Sequence, residues 1–277
     1  MDAGTLYVVA TPIGNLEDIT LRALRVLREV AVVAAEDTRR TGQLLRHFGI
    51  DTPLLSLHEH NEGRKADRLV ERLRRGESIA LVSDAGTPAI SDPGAGLVAA
   101  TRAAGVRVEP VPGASAVMAA VSAAGLEDGH FWFAGFPPIK AKDRNNWFQS
   151  VSSALGLGAV VFFEAPHRVI ETIREAENWS INRMIVFREL TKLHECSYEG
   201  TPAELAARIS PVAGEFTIVV PARPPEDLAA LRPTDAEVVA MFGQITDKRG
   251  REAAREVAAR TGLSVNEVYA IVRAAKG

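Results

Sequence analysis

The chain has 277 residues, 47% of them hydrophobic and 24% charged, and its formal net charge is −3. These values are typical of a globular protein with room for two modest domains, and without an overall basic charge any nucleic-acid contact must come from local patches. No apolar run approaches the roughly 18 residues of a membrane span, the N-terminus lacks a signal-peptide pattern, and the single Cys196 has no partner for a disulfide, so we expect a cytoplasmic protein without membrane contact.

The first half of the chain alternates short β-branched runs with helical patterns. Such alternation predicts an α/β domain with a mainly parallel, doubly wound sheet, here over 1–136. The break at Pro137-Pro138 and the polar residues that follow mark its end. The predicted elements are strand 6–10, helix 19–30, strand 31–36, helices 38–48 and 61–75, strand 78–83, helix 94–104, strand 106–111, helix 114–124 and the apolar run 131–136.

A second α/β domain is predicted over 137–222, followed by a proline-rich linker at 223–232. Its elements are helix 143–153, strand 159–164, helix 167–177, strand 184–190, helix 202–209 and strand 216–221.

The remaining segment, 233–277, has only helical patterns, at 235–244, 249–261 and 265–275. The last two have helix-turn-helix spacing, in which Gly262 supplies the turn and Ser264 caps the second helix. A mild basic excess favours phosphate contact, whereas a small helical cap packing on the body or on another subunit is an equal alternative. The residues expected to pack the helix pair are Ala254, Val257, Leu263, Val268 and Ile271.

Polar loops, three of them containing glycine, follow five of the predicted strands, where an open α/β sheet binds its ligands. They are 11–15, 36–40, 83–88, 112–115 and 164–168. No Walker loop or dinucleotide fingerprint is present, and His58 and His60 have no third ligand at metal spacing, so we expect no metal. Residues 81–96 contain no Lys or Arg, which favours a cationic ligand over a phosphate. Ser91 or Asp92 is expected to cap helix 94–104.

The loop motifs together resemble one family. They are TPIGNLEDITLRAL (11–24), AEDTRRTGQLL (35–45), LHEHNE (57–62), LVSDAGTPAISDPG (81–94), PVPGASAV (110–117), EAPHR (164–168) and RELTKLHE (188–195). These motifs are similar to the tetrapyrrole-methylase superfamily, with the likeness covering about 1–222. The resemblance implies two α/β domains with S-adenosylmethionine in the cleft between them, and a homodimer. The helical tail is similar to an extension that some members carry.

Within the superfamily, the likeness is to members that methylate the ribose 2′-hydroxyl of a cytidine in the decoding region of small-subunit rRNA, either free or in the 30S subunit. Methylation of a tetrapyrrole or another small molecule, and a non-catalytic nucleic-acid-binding regulator, are the alternatives. The residues that the resemblance implies for cofactor binding are Pro12, Gly14, Asp84, Ala85, Gly86, Thr87, Ser115, Ala116, Phe163, Glu164, Leu190, Gly214, Glu215 and Phe216.

A ribose hydroxyl is a poor nucleophile, so transfer needs in-line placement and a proton acceptor. The candidates are Asp37, His58 and Glu59, although Asp37 is equally suited to cap helix 38–48 and to pair with the neighbouring arginines. Asp84 is suited both to the cationic cofactor and to an Asx-type turn. The candidate RNA contacts are Arg39, Arg40, Lys140, Lys142, Arg144, Arg249 and Arg251.

Overall fold

The computed structural model describes residues 3–58, 62–127, 129–224, 234–245, 250–261 and 263–275. The chain divides into two compact units, Met1–Ala222 and Arg223–Gly277. The first unit contains two five-stranded sheets, and the second is helical. The predicted α/β class with a helical extension is therefore confirmed.

The first sheet is entirely parallel, with strand order β3-β2-β4-β1-β5. Every residue of its central strands β2 and β4 is buried, because helices cover both faces of a parallel sheet. Its elements are β1 (Thr5–Val9), α1 (Leu21–Glu29), β2 (Val32–Ala35), α2 (Thr38–His47), β3 (Leu54–Ser56), α3 (Glu62–Arg74), β4 (Ile79–Val82), α4 (Ala95–Ala103), β5 (Arg107–Val111) and α5 (Ala116–Ala123).

The second sheet has the order β6-β7-β10-β8-β9 and is mostly antiparallel, with only β6 and β7 parallel. Strand β10, inserted between β7 and β8, is wholly buried. The elements are β6 (Phe131–Phe133), α6 (Ala141–Ala154), β7 (Ala159–Glu164), α7 (Pro166–Ala176), β8 (Met184–Arg188), β9 (Cys196–Gly200), α8 (Pro202–Arg208) and β10 (Phe216–Val220).

The chain passes from the first sheet to the second earlier than the sequence predicts. Strand β6 pairs with β7 and so belongs to the second sheet, which places the change of sheet before Phe131 rather than at 136. The preceding helix α5 packs its Val117 and Ala120 with Val161 and Val219 of the second sheet. Helix α5 therefore joins the two halves into one unit.

Two predictions about local structure are wrong. Strands β3 and β9 were not predicted, because they are short edge strands with polar residues and little apolar alternation. The cap of α4 is also different: its first residue follows Gly94, which makes no side-chain cap bond, and Leu97 N–H donates to Glu62 Oε1 at 2.8 Å. A carboxylate from α3 thus replaces the expected local cap at Ser91 or Asp92.

The helical unit contains α9 (Asp235–Gln244), α10 (Arg251–Thr261) and α11 (Val265–Ala274). Ser264 caps α11 through a reciprocal capping box with Glu267, as predicted. Four of the five residues expected to pack the helix pair are buried in one cluster, and Ile271 packs against that cluster half-buried. Gly262 lies outside the described residues.

Candidate functional site

The loops after β1 and β4 are joined by an isolated bridge at the carboxyl edge of the first sheet. Thr11 N–H donates to the Gly86 carbonyl at 2.9 Å, and Gly86 N–H donates to the Thr11 carbonyl at 3.0 Å. The buried Thr11 hydroxyl also donates to the Ser83 carbonyl at 3.3 Å. These bonds hold two of the predicted ligand loops in a fixed relation.

Gly86 is required at this bridge by its backbone conformation. Its φ is +74°, and a Cβ there would lie 3.2 Å from Ile13 Cγ2. A side chain would therefore be strained and would press on the wall formed by Ile13. The glycine lets the two loops approach closely.

A cavity of about 250 Å³ lies between these loops and the second sheet. Eleven of the fourteen residues predicted for the cofactor line it, from Ala85 in the first sheet's loops to Phe216 on β10. The walls add apolar side chains that the sequence did not single out, including Ile13, Ile90 and Phe136. Among its described lining residues there is no Lys or Arg, whereas Asp92, Glu164 and Glu215 bring carboxyl groups. We call this the cofactor cavity.

The other three predicted residues lie next to it. Pro12, Gly14 and Asp84 line a groove of about 480 Å³ that shares Ile13, Ala85 and Glu215 with the cofactor cavity. This groove also has Arg40 and Lys192 in its wall. The structure thus divides the predicted set between the cofactor cavity and an adjoining groove, which we call the basic groove.

Asp37, a predicted catalytic residue, has the alternative role that the sequence also allowed, which is to cap the helix and pair with a neighbouring arginine. Its carboxylate caps α2 by accepting from Arg39 N–H at 2.8 Å, and it also accepts from the Arg39 guanidinium at 2.7 Å. These bonds hold the pKa of Asp37 far below its usual range. A carboxylate so weakly basic is a poor proton acceptor, so the structure does not favour the catalytic prediction.

Asp84 connects the loops after β2 and β4. One carboxylate oxygen accepts from Asp37 N–H at 2.9 Å, and the other lies 3.3 Å from Arg40 Nη1. Asp84 N–H in turn donates to Glu36 Oε2 at 3.4 Å. The predicted cofactor ligand therefore organises the neighbouring loop.

Glu164, another predicted cofactor contact, has a fully buried carboxylate. Oε1 accepts from Ala165 N–H at 2.8 Å and from the Arg168 guanidinium at 2.5 Å, and Oε2 accepts from the Thr172 hydroxyl at 2.5 Å. Because the side chain has no exposed area, any ligand contact from Glu164 falls to its backbone. The carboxylate fixes α7 to the end of β7.

Lys192 links the two halves of the first unit and was not singled out by the sequence. Its ammonium donates to Glu189 Oε1 at 2.8 Å and lies 3.3 Å from Glu215 Oε2. Burial opposes its charge, but the bonds to these carboxylates prevail and raise the pKa of Lys192. Gly14 leaves room for it, since a Cβ there would lie 2.3 Å from Lys192 Cγ. The lysine lies at the mouth of the basic groove.

A third groove, of about 720 Å³, lies on the other side of the 83–94 loop and is lined by Glu36, His58, Glu62 and residues 91–95. The candidate His58 is in this wall, whereas Glu59 lies outside the described residues. We call this the acidic groove. It borders the cofactor cavity through Ser91 and Asp92, which line both.

The predicted RNA contacts have different environments. Exposed members are Arg39, Arg40, Lys140, Lys142 and Arg251, and Arg249 lies outside the described residues. Arg144 contradicts the prediction, because its side chain is only 10% exposed. It donates to Glu175 at 2.5 Å and to the Thr172 hydroxyl at 2.7 Å, so it stabilises the second sheet's helices instead.

Two features are absent from the described residues. No group of three or more His, Cys, Asp or Glu side chains there is placed to hold a metal ion. None of the helices in the same part of the chain is both long and apolar enough to cross a membrane.

Comparison with known proteins gives one consistent result. A family model described as Tetrapyrrole (Corrin/Porphyrin) Methylases matches residues 5–206. Ribosomal RNA small subunit methyltransferase I of Pseudomonas aeruginosa is 53% identical over 197 residues, covering 70% of this chain and 69% of that protein. The protein of the same name from Halalkalibacterium halodurans is 40% identical over 282 residues, covering 98% and 95%.

Solved structures share the fold at low sequence identity. Uroporphyrin-III C-methyl transferase from Thermus thermophilus, solved with S-adenyl homocysteine, matches with a TM-score of 0.56 and 18% identity, covering 78% of this chain and 97% of that one. At this identity the match shows the architecture alone.

Proposed function

The chain belongs to the tetrapyrrole methylase family, and within it to the ribosomal RNA small subunit methyltransferase I group, and from that premise we propose that it transfers a methyl group from S-adenosylmethionine to the 2′-hydroxyl of a cytidine ribose in small-subunit rRNA. The observation that carries the proposal is the cofactor cavity. Eleven of the residues that the resemblance implies for cofactor binding surround it, although they come from both sheets and are far apart in sequence.

The lining of the cavity suits this cofactor. S-adenosylmethionine carries a sulfonium cation, an adenine ring and a methionyl chain, and it supplies an activated methyl group. Apolar side chains such as Phe163 and Leu190 offer a surface for the ring. The carboxyl group of Asp92 and the absence of Lys and Arg from the described lining suit the cation. Ser115 caps α5 at the cavity wall, where the first-turn N–H groups favour a carboxylate.

The surface beside the cavity suits RNA. Arg39 and Arg40 lie at the start of α2 with 87% and 69% of their side-chain area exposed, and Arg40 reaches into the basic groove. Guanidinium groups in such a position neutralise phosphates next to a target ribose. Lys140 and Lys142 are further proposed RNA contacts of the first unit. In the helical unit Arg251 is a separate proposed contact, and Arg249 is proposed on sequence alone.

The direct test is transfer of radiolabel from S-adenosylmethionine. The purified protein is incubated with 30S subunits, with naked small-subunit rRNA and with a tetrapyrrole acceptor. Label in the ribosomal samples, recovered as 2′-O-methylcytidine after digestion to nucleosides, supports the proposal. Label in the tetrapyrrole would support the other methylase activity, and no label in any acceptor would contradict both.

We also propose that the protein acts in the cytoplasm, where its ribosomal substrate is found, and as a homodimer. The second point is supported by exposed apolar side chains around a groove of about 780 Å³ on the second sheet's side, where Leu157 is 86% and Trp132 45% exposed. Sedimentation equilibrium measures the mass directly, and a monomer at all concentrations tested would contradict it.

A further inference from the structure

Ser91 and Asp92 form the wall that the cofactor cavity shares with the acidic groove. Ala89 and Ser91 have φ values of 66° and 63°, in the left-handed region that side chains other than glycine rarely adopt. Such conformations persist only where the surrounding structure enforces them, and they concentrate at functional sites. The turn places Asp92, which is half-buried, between the two spaces.

The environment of Asp92 makes it unusually basic for a carboxylate. Burial and the nearby carboxylates of Glu36 and Asp84 raise its pKa to about 6, although a hydrogen bond with Ser83 opposes the shift. A carboxylate with such a pKa accepts protons far better than an ordinary aspartate near neutral pH. The charged residues that act on it directly are Glu36 and Asp84, and Asp84 is paired with Arg40. The other titratable residues that line the same two spaces are His58, Glu62, Glu164, whose carboxylate is buried in its own network, and Glu215.

We propose that Asp92 is a catalytic residue that contacts the acceptor ribose and takes the proton of its 2′-hydroxyl, with the acidic groove receiving the sugar of the target nucleoside. This inference rests on the proposed function. A groove that joins the cofactor cavity at a carboxylate lets an acceptor hydroxyl approach from the side opposite the cofactor.

The proposed step is balanced within the site. Asp92 takes the hydroxyl proton while the ribose oxygen bonds to the methyl carbon. The electron pair of the broken carbon–sulfur bond stays on sulfur, so the cation becomes a neutral thioether. No oxidant, reductant or further reactant is needed.

The other candidates are less well placed. Asp37 is committed to capping α2 and to Arg39. His58 lines the acidic groove but does not line the cofactor cavity. Asp92 is the carboxylate common to both linings.

The principal variant is Asp92→Asn, with Asp92→Glu as the conservative variant and Asp67→Asn, an exposed carboxylate on α3, as the matched control. At saturating cofactor and rRNA we expect Asp92→Asn to lower kcat by at least about 100-fold, the lower end of the usual effect of a general base. In the wild type kcat/KM for the cofactor rises as the pH passes about 6, because the carboxylate form is the acceptor, and at saturating cofactor the bound cation moves the same acidic limb of kcat to lower pH. This acidic limb should vanish in Asp92→Asn and return in Asp92→Glu.

A second measurement does not depend on turnover. A cation in the cavity stabilises the carboxylate of Asp92, so the affinity of the wild type for S-adenosylmethionine should rise as the pH passes about 6. The affinity for S-adenosylhomocysteine, whose sulfur is neutral, should change less. In Asp92→Asn the ratio of the affinities for the two ligands should no longer have this pH dependence. The other charged groups are the same in both proteins, so their effect on the affinities is the same in both.

The outcomes are distinguishable. If the wild type methylates rRNA and Asp92→Asn matches the Asp67→Asn control in kcat, or keeps the acidic limb, the inference is wrong and the proposed function stands. If Asp92→Asn raises only the KM for cofactor at unchanged kcat, Asp92 binds without accepting the proton, which also overturns the inference. If the wild type methylates no rRNA at all, the proposed function fails and the inference fails with it.

Discussion

The substitution Glu164→Gln tests whether this carboxylate, at the wall of the cofactor cavity, binds the cofactor or stabilises the fold. The resemblance to the family places Glu164 at the cofactor, whereas the structure engages both carboxylate oxygens within the second sheet's own framework. We expect the substitution to destabilise the fold and to leave cofactor affinity nearly unchanged.

The magnitude follows from the contacts that are lost. Removing one partner of a buried ion pair costs about 3–5 kcal/mol, because it leaves the other charge poorly compensated. Arg168 and Arg144 keep 16% and 10% side-chain exposure, and the amide oxygen of Gln can still accept, so the lower end, about 3 kcal/mol, is expected. For a unit of this size that corresponds to a fall of roughly 6–12 °C in Tm.

The assay pairs unfolding with binding. Denaturant unfolding followed by tryptophan fluorescence gives the free energy of unfolding, and calorimetric titration with S-adenosylhomocysteine well below Tm gives the affinity. Thr172→Val is the matched control, because Thr172 belongs to the same network but does not line the cavity. It should also lose stability, by about 1–3 kcal/mol, and keep its affinity.

The refuting result is specific. If Glu164→Gln unfolds like the wild type but binds S-adenosylhomocysteine about tenfold or more weakly, the carboxylate contacts the ligand directly. The buried hydrogen-bond network would then not be the main role of the Glu164 carboxylate.

Three further predictions test the neighbouring features. Gly86→Ala should weaken binding of S-adenosylhomocysteine by about tenfold, because the left-handed backbone costs about 1–2 kcal/mol and the new Cβ presses on Ile13. The control is Gly105→Ala, because Gly105 has a φ of +70° and open space around it. Equal affinity in both variants would contradict the role of the cavity wall formed by Ile13. Arg40→Ala should reduce the slope of log K for rRNA against log salt by about 1 without changing cofactor affinity, and a slope equal to that of Arg25→Ala on α1 would argue against a phosphate contact. Deleting 223–277 should lower rRNA affinity and spare cofactor affinity, whereas equal loss of both would indicate a packing role for the helical unit.

Much of the fold was predictable because its signals are local. The central strands are continuous apolar runs, and the helices between them have periodic apolar faces, so alternation alone predicts an α/β architecture. Edge strands β3 and β9 were missed since a strand exposed on one side needs no such run. The position of β6 was also misjudged, because pairing with β7 is a long-range choice that a proline-marked boundary does not reveal.

The candidate site divides in the same way. Loop chemistry predicted which segments surround a ligand, and residues 81–96 without Lys or Arg indicated a cation. The sequence could not show that Arg144 points into a buried network, since its neighbours 140–146 are polar and look exposed. Nor could it show that the carboxylate of Glu164 is fully satisfied by groups up to eight residues away.

The sequence by itself determined the class of fold, the family, and the end of the sheet at which a ligand is proposed to bind, because strand periodicity and loop motifs are properties of short segments. Only the tertiary structure decided which carboxylates are committed and which are placed for chemistry. Asp37 is held by Arg39 of the helix that it caps, Asp84 is held by the loop after β2, and Asp92 lies between two cavities. The physical reason is that a carboxylate's basicity depends on burial and on charges that the fold brings from distant strands, here Glu36 and Asp84 against Asp92.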